Sequence, residues 1–426
     1  TGLEARWEKS TLAMAIRKFV ASLATLGSGG SGGLEASSAL IGENLGAWYY
    51  KMRKNKAEFE LDDLARGVVN PWEAPNPDYL QTAQLCGVAA AVTVLLGAPL
   101  SASIFSSEVM YRDRPLLSKL FYALLAAYTA ETISAFFAGD RPLMFNVETS
   151  IYPQFGDFRY WVAIVLMGFV IAVVGQLYRF LNLRFADWFQ KGIKNPYVRI
   201  QVGFAITGAI ALAVYFATSR LGITDHGLEL VLGSGESIVI SALAGQVTIS
   251  MALIGLVAKM LATLATIKSG GSAGLLVPTF FFGTMIAVVF AQLLDYESVL
   301  FIAPAMAGSL FALIHTPFAA IIFVVEEFGA DFLPPAILIL IVTGLFTPRK
   351  SIYRAQQSTP ESLEILPGFD IYAIRVPAAW VGKTLDELDI PQQFDLQVVG
   401  LLDRSSSDDQ PNVLFGSELA TGTTLI

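Results

Sequence analysis

A stretch of twenty residues occurs twice in this 426-residue chain. Residues 23–42 (LATLGSGGSGGLEASSALIG) align with residues 264–283 (LATIKSGGSAGLLVPTFFFG) at a constant offset of 241. Ten positions are identical: Leu23, Ala24, Thr25, Ser28, Gly29, Gly30, Ser31, Gly33, Leu34 and Gly42. A second match follows in the same order. Residues 95–108 (LLGAPLSASIFSSE) align with residues 313–326 (LIHTPFAAIIFVVE) at an offset of 218, which sets Pro99, Ile104, Phe105 and Glu108 on Pro317, Ile322, Phe323 and Glu326. The offset falls by 23 because the first half carries an extra polar segment at 51–78. Two ordered matches that include non-glycine positions mark an internal duplication. Such a chain folds as two related halves, each broken by its glycine run at the same place.

Composition fixes the solvent. Charged residues make up 15% of the chain and apolar ones 54%, against about 25% charged in a soluble domain. So few charges cannot cover a soluble protein of this size, and the chain reads as an all-α polytopic membrane protein. The single cysteine, Cys86, excludes an intrachain disulfide. Apolar stretches lie at 12–27, 83–110, 117–138, 160–182, 199–220, 237–265, 275–295, 299–326 and 332–347. Several fall short of the ~20 residues a span needs, and glycine runs break them. Broken helices at membrane depth are tolerated only where they are buried or line a water-filled cavity. Residues 1–150 form the first repeat and 151–358 the second. Gly233-Ser234-Gly235-Glu236 in the second repeat has a counterpart position before Thr1. The second repeat's first long apolar helix begins near Tyr160, whose counterpart at the same offset of 241 falls at position −81, so roughly 80 residues or more of the first half are expected ahead of this sequence.

Residues 359–426 hold eleven acidic and three basic residues, which accounts for the whole net charge of −8. Nothing there suggests nucleic-acid binding. Alternation at 371–376 and 396–402 predicts strands, with a short helix at 383–388, so a small α+β module is expected to follow the membrane part.

The repeated Ser-Gly-Gly-Ser-x-Gly motif carries the chemistry. Glycines let the backbone turn tightly and approach a ligand. The helix that follows opens with amide N–H groups that lack helical partners and carry the positive end of the macrodipole. Two such ends, at 33–37 and 274–278, would form an anion site where they converge. Pro278 suits a first helical turn. Close packing of small residues is the alternative for either motif alone. Glu35 sits in the first motif where the second has Leu276, and a carboxylate at membrane depth is a functional candidate. Glu108 and Glu326, equivalent and near helix ends, read as structural. Glu131, Glu236, Lys259, His226 and His315 read as paired or interfacial. No metal-ligand spacing, nucleophile–base pair or phosphate-binding loop is present, so neither an enzyme nor a cofactor is expected. Basic clusters at 51–56, 112–114 and 349–354 mark cytoplasmic loops.

Over about residues 10–357 the chain resembles the CLC family of chloride channels and chloride/proton exchangers. Gly33-Leu34-Glu35-Ala36-Ser37 is similar to the family's Gly-Lys/Arg-Glu-Gly-Pro, and Gly274-Leu275-Leu276-Val277-Pro278 to its Gly-Ile-Phe-x-Pro. Residues 98–108 resemble the helix leading to the inner mouth, and Tyr353 falls where the family has an anion-coordinating tyrosine. The resemblance implies an inverted repeat of tilted helices, a homodimer in the lipid bilayer and chloride as the transported ion. It implies Glu35 as the gating glutamate. It also implies an anion held by Gly33, Leu34, Ala36, Gly274, Leu275, Leu276 and Tyr353. The family's serine ligand would belong to the segment ahead of Thr1. Exchangers of the family have Glu-Glu at the inner mouth, whereas this chain has Glu108-Val109, a channel-like pair. Gated chloride conduction is therefore the first expectation and chloride/proton exchange the second. Transport of nitrate or fluoride is a third, and a membrane sensor built around the tail a fourth. The tail resembles the TrkA-C type of regulatory domain through Val381-Gly382-Lys383-Thr384-Leu385, which implies a cytoplasmic module with a small ligand or a dimerising role. That likeness also suggests a bacterial inner membrane.

Overall fold

The computed structural model describes residues 12–53, 77–109, 117–139, 144–145, 152–153, 155–224 and 226–348, with short pieces of the tail. The helices are α1 (Leu12–Gly27), α2 (Glu35–Arg53), α3 (Pro77–Leu96), α4 (Pro99–Glu108), α5 (Leu117–Ala138), α6 (Phe158–Gly192) and α7 (Pro196–Arg220). They continue with α8 (Glu236–Leu243), α9 (Ile249–Ser269), α10 (Leu276–Leu294), α11 (Ser298–Ile314), α12 (Pro317–Phe328), a 3-10 turn (Ala330–Phe332) and α13 (Leu333–Phe346). By length and composition, α5, α6, α7, α9 and α10 can each cross a bilayer.

Three apolar runs that the sequence presents as single stretches are each two helices. The run 83–110 breaks between α3 and α4, where Gly97 has φ +73° and Pro99 opens the next helix. The run 299–326 breaks at the equivalent place, where His315 has φ +64° and Pro317 opens α12. The run 237–265 breaks after α8, at Gly245 with φ +72°. A left-handed residue reverses the backbone, and a proline at the first helical position fixes where the chain restarts. Elsewhere side chains cap the starts. The Asp157 carboxylate accepts from Arg159 N at 2.9 Å for α6, and the Asn195 carbonyl from Tyr197 N at 3.0 Å for α7.

The two repeats interlock within one compact unit, Thr1–Tyr50 with Leu80–Thr359. Helices α4 and α12 cap one another reciprocally. Glu108, at the end of α4, accepts from Phe318 N (3.0 Å) and Ala319 N (2.8 Å) in the first turn of α12. Glu326, at the end of α12, accepts from Leu100 N (2.8 Å) and Ser101 N (2.7 Å) in the first turn of α4. Every atom in one cap has its counterpart at an offset of 218 in the other. Close backbone packing repeats in the same way. A Cβ on Gly42 of α2 would collide with the Gly87 carbonyl of α3, and one on Gly283 of α10 would lie 2.6 Å from the Ala305 carbonyl of α11. Small residues at such crossings let helix backbones touch in a bilayer.

The second unit takes in Lys51–Tyr79 and Pro360–Ile426. Its described elements are β1 (Ile374–Arg375), β2 (Leu401–Leu402), β3 (Thr424–Leu425) and the one-turn helix α14 (Leu385–Leu388). Strand β3 lies between the other two and pairs antiparallel with each. Thr384 and Glu387 form a capping box, with N–H···O distances of 3.2 and 3.3 Å. Two residues of each strand lie among the described residues, where alternation predicts six or seven for the first two. They do not establish a folded α+β module, and most of the tail lies outside the described residues.

Candidate functional site

The two glycine runs meet face to face. Gly29 (φ +90°) and Gly270 (φ +119°) are equivalent and both left-handed, which turns each chain out of its helix. Past the turn, Gly30 N donates to Thr25 O and Gly271 N to Thr266 O, both at 2.9 Å. Each threonine hydroxyl then reaches across the repeat. Ser31 N donates to Thr266 Oγ1 and Ser272 N to Thr25 Oγ1, both at 3.0 Å. At the centre, Gly33 and Gly274 exchange backbone hydrogen bonds of 2.9 and 2.6 Å. The local two-fold relation between the repeats therefore passes between these two glycines. A third segment joins at the side, where Gly32 N donates to Gly233 O (2.9 Å) and Gly233 N to Gly30 O (3.0 Å).

Glu35 is the first residue of α2 and 3% exposed. Its carboxylate folds back over Gly33, into space that a Cβ on Gly33 would take, and lies against Gly274. The backbone amides of Glu35, Val277 and Leu34 surround it, so the starts of α2 and α10 share one carboxylate. Oε2 has no hydrogen-bond partner. Two helix N-termini, each equivalent to about half a positive charge, thus face a buried anion.

The structure brings together most of the residues singled out from the sequence. Gly33 and Gly274 form the central bridge, and the Ala36 amide packs on Gly274. Leu275 and Leu276 are buried at the start of α10. Leu34 turns its side chain outward (45% exposed), so only its backbone belongs to the site. Glu108 lies in its helix cap, and Val109 is half-buried against the core. Tyr353 lies outside the described residues.

Two charges flank Glu35. Lys259 is fully buried, and its ammonium donates to the carbonyls of Val231 (3.1 Å), Leu232 (3.1 Å) and Gly233 (2.7 Å). It also lies 5.7 Å from the Phe281 ring centroid. Glu236 opens α8. Both lie within electrostatic range of Glu35. Among the described residues Lys259 has no carboxylate partner and holds a loop by its carbonyls, an arrangement that spacing did not reveal. The signal was available in the duplication, because Lys18 and Lys259 are 241 apart. Glu327, which sequence reasoning passed over, is buried, accepts from Phe145 N at 3.3 Å and leaves Oε1 without a partner. Among the described residues no group of three or more His, Cys, Asp or Glu side chains is placed to hold a metal ion.

A family model described as "Voltage gated chloride channel" matches residues 2–347. The Voltage-gated ClC-type chloride channel ClcB of Citrobacter koseri is 26% identical over 280 residues, 63% of each chain. The H(+)/Cl(-) exchange transporter ClcA of the same species is 25% identical over 321 residues, 72% of this chain and 60% of its own. This chain thus spans about three fifths of the length of these curated relatives. Among solved structures, a CLC-type fluoride/proton antiporter superposes with a TM-score of 0.66 at 23% identity, covering 84% of this chain and 81% of its own. A slow cyanobacterial Cl−/H+ antiporter gives 0.61 at 17% identity, covering 80% and 75%. These structural likenesses concern the fold.

Proposed function

The chain belongs to the voltage-gated chloride channel, or CLC, family of membrane proteins, and from that premise we propose that it exchanges an anion for protons, with Glu35 serving both. The observation that carries this reading is the Glu35 carboxylate lodged between two helix N-termini with one oxygen unpartnered. In that position the side chain takes the place of an anion. Protonation removes its charge and with it the attraction of the two helix ends, so the side chain leaves and a halide enters. Return of the carboxylate expels the anion and releases the proton. One group that competes with the anion and carries the proton couples the two fluxes.

Chloride is the proposed anion, since both curated relatives are named for it. Fluoride is the alternative suggested by the antiporter of similar fold. Exchange is favoured over channel-like conduction by the names of one curated relative and both solved structures. Conduction is the second reading, favoured by Val109, which cannot carry a proton. The test is to reconstitute the protein in liposomes and impose an inward gradient of chloride, fluoride or nitrate in turn. Uphill proton movement driven by one of them supports exchange and names the anion. Anion flux with no proton movement supports conduction. A homodimer and a ligand-sensing tail extend the proposal. Single-molecule subunit counting tests the first, and flux after deletion of residues 359–426 tests the second.

A further inference from the structure

A fully buried ammonium with no carboxylate bonded to it is costly, and among the described residues Lys259 is in that position. Its bonds to the Val231, Leu232 and Gly233 carbonyls use all three of its protons. These carbonyl dipoles replace water around the ammonium without cancelling its charge. The shortest of the three bonds leads to the site. The Gly233 carbonyl that takes Lys259 Nζ at 2.7 Å also accepts from Gly32 N at 2.9 Å, and Gly233 N donates to Gly30 O at 3.0 Å. The next residue, Gly33, exchanges hydrogen bonds with Gly274, and the Glu35 carboxylate lies against both of these glycines. A continuous run of contacts therefore joins the ammonium to the backbone beneath Glu35. The carboxylate that acts on Lys259 through space is Glu35 itself. Glu236 is half-buried and lines a solvent-open cavity of about 580 Å³, where its charge is screened.

We propose that Lys259 is the positioning residue of the anion site. It fixes the glycine turn through Gly233, and its charge is balanced by one anion at a time, the Glu35 carboxylate or the transported ion. The proposal rests on the reading of Glu35 as the occupant of an anion site and adds what limits that site to a single negative charge. With neither anion in place the buried positive charge stands alone, and with both in place one negative charge does. Exchange of carboxylate for ion keeps the two buried charges matched.

The test is to titrate chloride calorimetrically into detergent-solubilised protein in a Glu35→Gln background, which leaves the site to the ion, with fluoride as the second probe. Adding Lys259→Gln should weaken binding about tenfold or more, because the amide keeps donors for the carbonyls but carries no charge. Lys259→Arg, which keeps the charge, should recover most of the affinity. Glu326→Ala, which lowers stability by removing the α4 cap, should leave affinity unchanged. Affinity that Lys259→Gln does not alter overturns the proposal and leaves the anion site standing. If Glu35→Gln alone binds neither ion, the anion site itself fails, and the role of Lys259 with it.

Stability supplies the second readout. In chloride-free detergent the melting-temperature losses of Glu35→Gln and Lys259→Gln should sum to more than the loss in the double variant, since each substitution alone strands one buried charge. Additive losses overturn the charge balance.

Discussion

Glu35 and Glu108 are both buried carboxylates at helix ends, yet their surroundings give them opposite roles. Both oxygens of Glu108 are occupied by amides of α12, so its charge is spent on a cap. Glu35 keeps one oxygen free at the junction of two helix starts. Removing a cap leaves two buried N–H groups unsatisfied, each costing about 1–3 kcal/mol. Glu108→Ala and Glu326→Ala are each expected to lower stability by about 2–6 kcal/mol, and thermal denaturation in detergent measures this. The loss should be larger for Glu108, which is 4% exposed while Glu326 is half-buried. At this scale the sequence was informative where the two repeats differ. Glu35 stands out because its counterpart is Leu276. Glu108 and Glu326 are identical at equivalent positions, which pointed to structure without saying what each one binds. Lys259 was noticed but its role was not, because its partners are backbone carbonyls, and its match with Lys18 in the repeat marks the position without naming them.

Helix ends were legible only in part. Pro99 and Pro317 announce where α4 and α12 begin, but hydropathy runs through the preceding break because a left-handed residue need not be polar. His315 adopts φ +64° in an apolar stretch where Gly97 does the same with no Cβ to strain it. Close helix crossings are encoded by glycines whose purpose shows only in three dimensions. Gly42→Ala is expected to lower stability by about 1–3 kcal/mol, while Gly208→Ala, with open space around it, should change it little. Comparing the two variants by denaturation separates backbone contact from glycine's chain entropy. The cap of α6 titrates outside the spanning helix. Tyr296 donates to the same Asp157 carboxylate that accepts from Arg159 N, and this holds its pKa below the usual aspartate value. A lowered folded-state pKa contributes stability above the unfolded value near 3.8, lost as pH falls through the folded one. Denaturation between pH 6 and pH 3 should show an acid-side loss in the wild type that Asp157→Asn lacks.

At the scale of the whole molecule, the duplication predicts the architecture. Equivalent threonines, glycines and glutamates bond across the repeat in matched pairs, so neither half completes its glycine turn or its caps alone. That dependence explains why the repeats form one unit although the sequence divides them near residue 150. The site lies on the relation between the halves, and the convergence of 33–37 with 274–278 follows from the repeat and the glycines. The charged surroundings do not, because Glu236 and Lys259 come from elements whose approach depends on the tertiary fold. The most direct test of the coupled role of Glu35 is to record anion and proton fluxes together in liposomes holding wild-type protein or Glu35→Gln. Coupled fluxes in the wild type, with anion flux but no proton movement in Glu35→Gln, are the predicted result. Proton movement that persists in Glu35→Gln would contradict it.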